Sequence, residues 1–200
     1  MYGINNINRF LQASNPNTSF EWGIDAYKVN DPILFNENDR FSGLLYNNLK
    51  GKIIDIKILG DQIQFDVEID SVLNGMDTQF YDLELLDDSE SGNSVVRFLV
   101  NKYPDTDEDD TASNTIVPFQ VAYAVSIHKA QGLEFSSVKI VITNEVEEMI
   151  SHNIFYTAIT RARDSLKIYW TPESENNILK GLKTKFNRLD VSLLKSKYQS

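Results

Sequence analysis

The sequence predicts an α/β protein that also contains a small all-β segment. Residues 20–86 are rich in short runs of β-branched and aromatic side chains, a pattern typical of closely spaced strands. Residues 119–170 instead alternate strand-like and helix-like patterns. Strands that alternate with helices favour a largely parallel sheet, with ligands at the carboxyl ends of its strands. Two kinds of fold are therefore expected in one chain.

The elements follow from local patterns. Ile4, Ile7 and Leu11 have helical spacing, which predicts a helix at 4–12, and the Asn15-Pro16 dipeptide ends it. In the all-β segment, strands are predicted at 31–35, 51–59, 62–69, 78–85 and 94–100, with a tight hairpin turn at Gly60-Asp61. In the α/β segment, strands are predicted at 121–127, 138–143 and 165–170, with helices at 152–163 and within 174–197.

Composition excludes several classes of protein. The 200 residues include no cysteine, which rules out disulfides and thiolate metal sites, and two histidines are too few for a histidine-based metal cluster. We therefore expect no metal site in this chain. No apolar run approaches the roughly 20 residues that span a bilayer, and the first residues do not resemble a signal peptide. A cytoplasmic protein without a membrane partner is expected.

The net charge of −10 is unevenly distributed. Residues 1–118 carry 8 basic and 21 acidic side chains, and five of these acids lie within 105–110, which predicts a solvated loop. Residues 119–170 carry 5 of each sign, and residues 171–200 carry 6 basic and 3 acidic side chains. Because a binding groove depends on local charge, the overall acidity does not exclude nucleic acid as a ligand of the second half.

The motif SIHKAQGLEF at 126–135 joins two predicted elements and has side chains suited to phosphate and sugar. Ser126 and His128 can donate to phosphate oxygens, and Lys129 adds positive charge. Gly132 lets the backbone approach a ligand closely, and the carboxylate of Glu134 can accept hydrogen bonds from ribose hydroxyls. The alternative is an ordinary turn with a surface lysine and a glycine cap.

The second motif, YTAITRARDSL at 156–166, places arginines at the end of the predicted helix. A guanidinium at the end of a packed helix can reach across a domain interface and stabilise charge on a γ-phosphoryl group. Arg161 is the candidate for this role. Arg163 is expected to be a surface residue, solvated or paired with Asp164. His152 is interpreted as the start of the helix and not as a site residue.

In order and spacing, these two motifs resemble the last two motifs of superfamily 1 DNA helicases, most closely the RecD/UvrD-like branch. The resemblance implies a RecA-like parallel-sheet domain, made of 119–200 plus a leading piece at 1–18, with an inserted SH3-like barrel at 19–118. The strand at 121–127 should then pair in one sheet with those at 138–143 and 165–170, and the leading helix should pack on that sheet.

The resemblance also implies a function. No GxxxxGK[ST] phosphate loop occurs in the sequence, so the chain resembles the C-terminal part of a motor whose nucleotide-binding half lies elsewhere. ATP and Mg²⁺ are expected in the intact helicase, and neither is expected to bind this chain tightly. This chain alone is not expected to hydrolyse ATP. The expected partners are single-stranded DNA and the N-terminal RecA-like motor domain of the same parent protein.

Each site residue has a role implied by the resemblance. Gly132, Glu134 and Arg161 should face the nucleotide, with Arg161 as the catalytic residue, while Ser126, His128 and Lys129 should lie along the single strand. The other hypothesis is a non-catalytic module that binds nucleic acid or protein and kept the helicase fold without the motor.

Overall fold

A computed structural model describes residues 3–37, 39–86, 92–103, 114–144 and 150–183. The chain divides into two compact units, Met1–Ser126 and Ile127–Ser200, here called unit 1 and unit 2. The predicted acidic loop at 105–110 lies outside the described residues. The predicted segments 1–18, 19–118 and 119–200 stay a prediction.

Unit 1 is mainly an antiparallel β structure. Its elements are α1 (Ile4–Gln12), β1 (Ser19–Trp22), β2 (Asp25–Lys28), β3 (Pro32–Phe35), β4 (Lys50–Leu59), β5 (Gln62–Ile69), α2 (Gly75–Thr78), β6 (Glu84–Leu86), β7 (Val95–Asn101) and β8 (Phe119–Val121). Strands β1 and β2 form a separate hairpin, and the other six form one sheet in the order β6-β7-β5-β4-β3-β8. The predicted two-residue turn at Gly60-Asp61 is confirmed, since Leu59 pairs with Gln62 and Gly60 has φ of 64°.

The core of unit 1 follows from the alternation of its central strands. On β5, Ile63, Phe65, Val67 and Ile69 are all buried. The ring of Phe65 lies 5.0 Å from that of Phe119 and 5.2 Å from that of Tyr27, both with edge-to-face geometry. Since Phe119 begins β8, these contacts connect the last strand of the sheet to its centre.

The predicted SH3-like barrel is not confirmed. Among the described residues, β6 and β8 are the two edges of the six-stranded sheet, and no pairing joins them to close a barrel. The predicted strand at 78–85 is also wrong, because α2 ends at Thr78, a turn and a bend follow at 79–82, and the chain forms a strand only from Glu84.

The expected sheet partner of the strand at 121–127 is wrong too. The strand β8 covers only Phe119–Val121 and pairs antiparallel with β3, so it does not join the strands at 138–143 and 165–170. The chain leaves the sheet at residue 122 and is then held by side chains. Ala124 donates its N–H to Asn8 Oδ1 at 2.8 Å, and its carbonyl accepts from Asn8 Nδ2 at 2.9 Å.

The leading helix lies where predicted along the chain, but it belongs to unit 1 and not to the unit that contains residues 150–170. The expectation that it packs on the parallel sheet is therefore wrong. Its polar side chains Asn8 and Gln12 are buried, whereas Ile4 and Leu11 on the predicted apolar stripe are exposed. Gln12 donates to the carbonyl of Ala26 at 2.9 Å, so hydrogen bonds within unit 1 determine its packing.

A buried carboxylate connects the helix, the hairpin and the segment after β8. Asp31 is fully buried and accepts from the Lys28 N–H at 2.8 Å, from Asn15 Nδ2 at 2.9 Å and from the Tyr123 hydroxyl at 2.9 Å. It also accepts from the Gln12 amide. Since a buried carboxylate is stable only when hydrogen-bonded, these donors make Asp31 the polar centre of unit 1.

Unit 2 contains a β-α-β arrangement. Its elements are β9 (Phe135–Val141), α3 (His152–Ile159), β10 (Ala162–Tyr169) and α4 (Pro172–Lys183). Strands β9 and β10 pair in parallel, as predicted for this part of the chain. The helix α3 begins after Ser151, whose hydroxyl accepts from the Ile154 N–H, and it ends before the arginines of the second motif.

The small core of unit 2 lies between one sheet face and the two helices. It consists of Ile140, Ile142, Phe155, Ala158 and Ile178, and Trp170 stacks on Phe155 at a ring distance of 5.8 Å. No described helix in either unit is long and apolar enough to cross a membrane.

Candidate functional site

The first motif forms a turn at the start of unit 2. Residues 127–132 make the turn, with hydrogen bonds from Gln131 N to His128 O at 3.3 Å and from Leu133 N to Ala130 O at 3.1 Å. Ala130 is buried and anchors the turn, while His128 is exposed and Lys129 is half-buried. His128 and Lys129 therefore both lie on this hydrogen-bonded turn.

Gly132 and Ser126 of this motif differ in backbone conformation and in the unit to which they belong. Gly132 has φ of +81°, a left-handed conformation that strongly favours glycine, and a Cβ there would meet open space. Backbone conformation therefore explains this glycine. Ser126 is exposed and belongs to unit 1, so it lies outside the unit that contains the rest of the motif.

Arg161 lies in the connection between α3 and β10 and joins the two motifs. Its guanidinium donates to Leu133 O at 3.0 Å, to Thr157 O at 2.9 Å and to Thr160 Oγ1 at 3.1 Å. The Arg161 carbonyl accepts from the N–H of Phe135 at 2.9 Å. Two motifs that lie far apart in sequence thus meet through one residue, and Arg161 lies directly against the turn that contains Gly132.

Glu134 and Arg163 form an ion pair that sequence reasoning did not predict. Arg163 Nε lies 2.9 Å from Glu134 Oε2. Arg163 is a residue of strand β10 and not of a helix, and its partner is Glu134 instead of the expected Asp164. The pairing depends on the register of β10 against β9, which the sequence does not reveal.

The remaining polar residues of the second motif support the helix. Thr160 caps the C-terminus of α3, and its hydroxyl donates to Tyr156 O at 2.9 Å. His152 is the first residue of α3 and stacks on Tyr156, in agreement with its interpretation as a helix start. The site of unit 2 therefore consists of the turn at 127–132, Glu134 and the two arginines that flank Ala162.

Comparisons with known proteins match the part of the chain that contains both motifs. The family model for the UvrD-like helicase C-terminal domain matches residues 121–169. The RecBCD enzyme subunit RecD of Buchnera aphidicola subsp. Schizaphis graminum is 34% identical over 55 residues, which are 28% of this chain and 9% of that protein. The ATP-dependent RecD2 DNA helicase of Deinococcus radiodurans is 47% identical over 45 residues, which are 22% of this chain and 6% of that protein.

Among solved structures, the Pif1 helicase from Bacteroides in complex with ADP-AlF3 and ssDNA aligns with 92% of this chain and 44% of its own, at 14% identity and a TM-score of 0.42. The matched segments are less than a tenth of the length of the two curated relatives above. Residues 121–169 match the UvrD-like helicase C-terminal domain, and the resemblance to the RecD/UvrD-like branch of superfamily 1 indicated by the two motifs is confirmed.

Proposed function

We propose that this chain is the C-terminal part of an ATP-dependent DNA helicase and forms one wall of its nucleotide cleft. The observation that carries the proposal is the hydrogen bond from Arg161 to Leu133 O at 3.0 Å, which brings the two motifs together. Gly132 is the last residue of the turn that Arg161 contacts, and Glu134 follows this turn by two residues. The names of the curated relatives, a RecD subunit and a RecD2 DNA helicase, support the same function.

In this proposal Arg161 is the catalytic residue. A guanidinium has five N–H donors, so it can serve more acceptors than the three oxygens it contacts here. Closure of a cleft would bring the transferring γ-phosphoryl group to Arg161, where the positive charge stabilises the charge that develops on that group. Its bonds to Leu133 and Thr157 fix the direction in which the guanidinium points.

The metal is assigned to the other half of the motor. Among the described residues, no group of three or more His, Cys, Asp or Glu side chains that could hold a metal ion is found. We propose that a partner domain supplies the phosphate loop and the carboxylates that hold the metal. This chain should therefore hydrolyse no ATP alone, with or without single-stranded DNA.

Single-stranded DNA is the proposed nucleic-acid ligand. His128 and Lys129 lie on the turn, and Ser126 precedes it, so all three lie on one short stretch of chain. Side chains that donate to phosphate and carry positive charge bind the backbone without reading its sequence. We further propose that the six-stranded sheet of unit 1 is an SH3-like accessory domain, supported by its antiparallel strands and single core.

The test is Arg161→Ala in the full-length protein that contains this chain. DNA-stimulated ATP turnover should fall by about 10³-fold or more, the scale of arginine fingers. ATP binding should weaken much less, because the lost group acts mainly in the transition state. Arg161→Lys should restore little turnover, since an ammonium keeps the charge without the planar donor arrangement.

The controls separate chemistry from folding. Lys167→Ala removes an exposed cation from β10, the strand that follows Arg161, and should leave turnover near that of the parent. Arg161→Ala also removes three hydrogen bonds to half-exposed oxygens, so unit 2 should lose about 1 to 2 kcal/mol. Trp170 fluorescence during urea unfolding measures that loss. Turnover unchanged in Arg161→Ala would exclude the helicase role proposed for this residue.

The second candidate is a non-catalytic module that binds nucleic acid or protein. One observation favours it: the Arg161 guanidinium is satisfied by two backbone carbonyls and a hydroxyl, as a purely structural arginine would be. This candidate predicts that Arg161→Ala lowers stability without a specific loss of turnover. The same experiment therefore decides between the two functions.

A further inference from the structure

An irregularity in strand pairing lies directly beside the proposed nucleotide wall. Ala162 pairs with Phe135, but the next registered pair is Ser165 with Ser137. Two residues of β10, Arg163 and Asp164, therefore face the single residue Ser136 of β9, which is the arrangement of a β-bulge. Bulges change the direction in which side chains point, and here the irregular stretch contains the arginine that contacts Glu134.

The pair between Arg163 and Glu134 contributes little to stability. The two side chains are 66% and 55% exposed, and exposed ion pairs contribute only about 0 to 1 kcal/mol. The geometry is nevertheless specific. Arg161 binds the carbonyl of Leu133, and Arg163 binds the carboxylate of Glu134, so arginines on either side of Ala162 hold consecutive residues after Gly132.

We propose that Arg163 is a positioning residue for Glu134 and thereby determines how strongly the site prefers a ribonucleotide over a deoxyribonucleotide. The proposal rests on the proposed function. A carboxylate has two oxygens and can accept several hydrogen bonds at once. Arg163 donates to Oε2 and fixes the orientation of the group, so that the ribose hydroxyls of ATP meet a correctly placed acceptor. Because the ribose is distant from the reacting phosphate, this contact contributes to binding and not to the chemical step.

The test is steady-state turnover in the full-length protein with three substrates: ATP, 2′-deoxy-ATP and 3′-deoxy-ATP. Glu134→Gln should raise the KM for ATP about tenfold, the effect of weakening one hydrogen bond to a charged group. Arg163→Ala should raise it by several-fold, with kcat within about twofold of the parent, the pattern expected when uniform binding is lost. In both variants the preference for ATP over the affected deoxy analogue should shrink by the same factor as the KM for ATP rises.

Two further variants exclude a merely structural role. Arg163→Lys keeps a cation near Glu134 and should recover part of the ribose preference, whereas Asp164→Asn changes the adjacent bulge residue and should leave the preference as in the parent. The double variant Arg163→Ala with Glu134→Gln should bind ATP no more weakly than Glu134→Gln alone, because the two residues act through one contact.

The outcomes separate this inference from the function on which it rests. If Arg161→Ala lowers turnover as expected but Arg163→Ala leaves the ribose preference unchanged, only the role of Arg163 is wrong. It is also wrong if the parent uses ATP and both deoxy analogues alike, or if Arg163→Ala lowers kcat at constant KM. If turnover does not depend on Arg161, the proposed function and this inference both fail.

Discussion

Replacement of Asp31 by alanine should destabilise unit 1 more than any exposed change in the chain. Asp31 is fully buried, and its carboxylate accepts hydrogen bonds from the Lys28 N–H, the Asn15 and Gln12 amides and the Tyr123 hydroxyl. Alanine removes the acceptor and leaves these donors in place. The helix α1, the turn before β3 and the segment after β8 would lose their common partner.

The magnitude follows from the number of donors. A buried donor left without a partner costs about 1 to 3 kcal/mol. Some donors have second acceptors, since Asn15 Nδ2 also donates to Val29 O and Gln12 Nε2 to Ala26 O. We therefore expect a loss of about 3 to 5 kcal/mol, the scale for removing one member of a buried charged network. Tyr123→Phe removes the bond that the hydroxyl donates to Asp31 and the longer one that it accepts from Asn15 Nδ2 at 3.3 Å, and it should cost about 1 kcal/mol.

Urea unfolding followed by tryptophan fluorescence provides the assay. Trp22 reports unit 1 and Trp170 reports unit 2, so a Trp170→Phe background isolates the first transition. With an m-value of about 1 to 3 kcal/mol per molar urea, the expected loss shifts the midpoint by at least about 1 M. A loss below about 1 kcal/mol in Asp31→Ala would show that the hydrogen bonds around Asp31 do not organise unit 1.

Two smaller predictions concern unit 1. Gly51→Ala should cost about 1 to 3 kcal/mol in thermal unfolding, because a Cβ there would lie 2.8 Å from the backbone oxygen of Glu68, whereas Gly75→Ala meets no atom within 4 Å and should be mild. Burial, together with the negative charge of Asp25, raises the pKa of Tyr27. The stability that neutral Tyr27 gives the folded state is therefore complete below the unfolded pKa of about 10 and is lost as the pH rises above it. Urea unfolding at pH 8 and pH 11 should show a smaller alkaline loss in Tyr27→Phe than in the parent.

The elements that the sequence predicted correctly are those determined locally. The helix at 4–12 agrees with α1, and the predicted strands at 51–59 and 62–69 agree with β4 and β5 to within one residue. In each case, side-chain periodicity and a turn signal lie within the element or beside it. The two-residue turn between β4 and β5 also fixes their register, which explains why their pairing could be predicted.

The errors in the fold come from partners that are distant in sequence. Residues 121–127 are apolar enough for a strand, but the chain leaves the sheet after Val121, because Asn8 binds the backbone of Ala124 and Asp31 binds Tyr123. Likewise, the buried side chains of α1 are the polar Asn8 and Gln12, which hydrogen-bond to backbone carbonyls of unit 1. Side-chain hydrogen bonds across about a hundred residues leave no periodic pattern to read.

The candidate site also combines features that are determined locally with features that depend on distant partners. The positions of Gly132 and Arg161 could be recognised, because spacing within each motif is local. The contact from Arg161 to Leu133 and the pair of Arg163 with Glu134 could not, because both depend on how β10 is registered against β9. A bulge of one residue in that register determines which acid Arg163 meets.

The contacts of Arg161 also determine how its mutation must be interpreted. An arginine that binds both the turn and α3 has a structural effect when it is removed, and that effect alone would lower activity modestly by loosening the proposed nucleotide wall. A transition-state partner has a different signature, since its loss lowers kcat far more than it weakens ATP binding. A loss of about 1 to 2 kcal/mol in stability corresponds to a factor of about 5 to 30 in an equilibrium, well below the 10³-fold expected for an arginine finger. A kcat effect beyond that factor, in a variant whose unit 2 remains folded, therefore belongs to the chemical step.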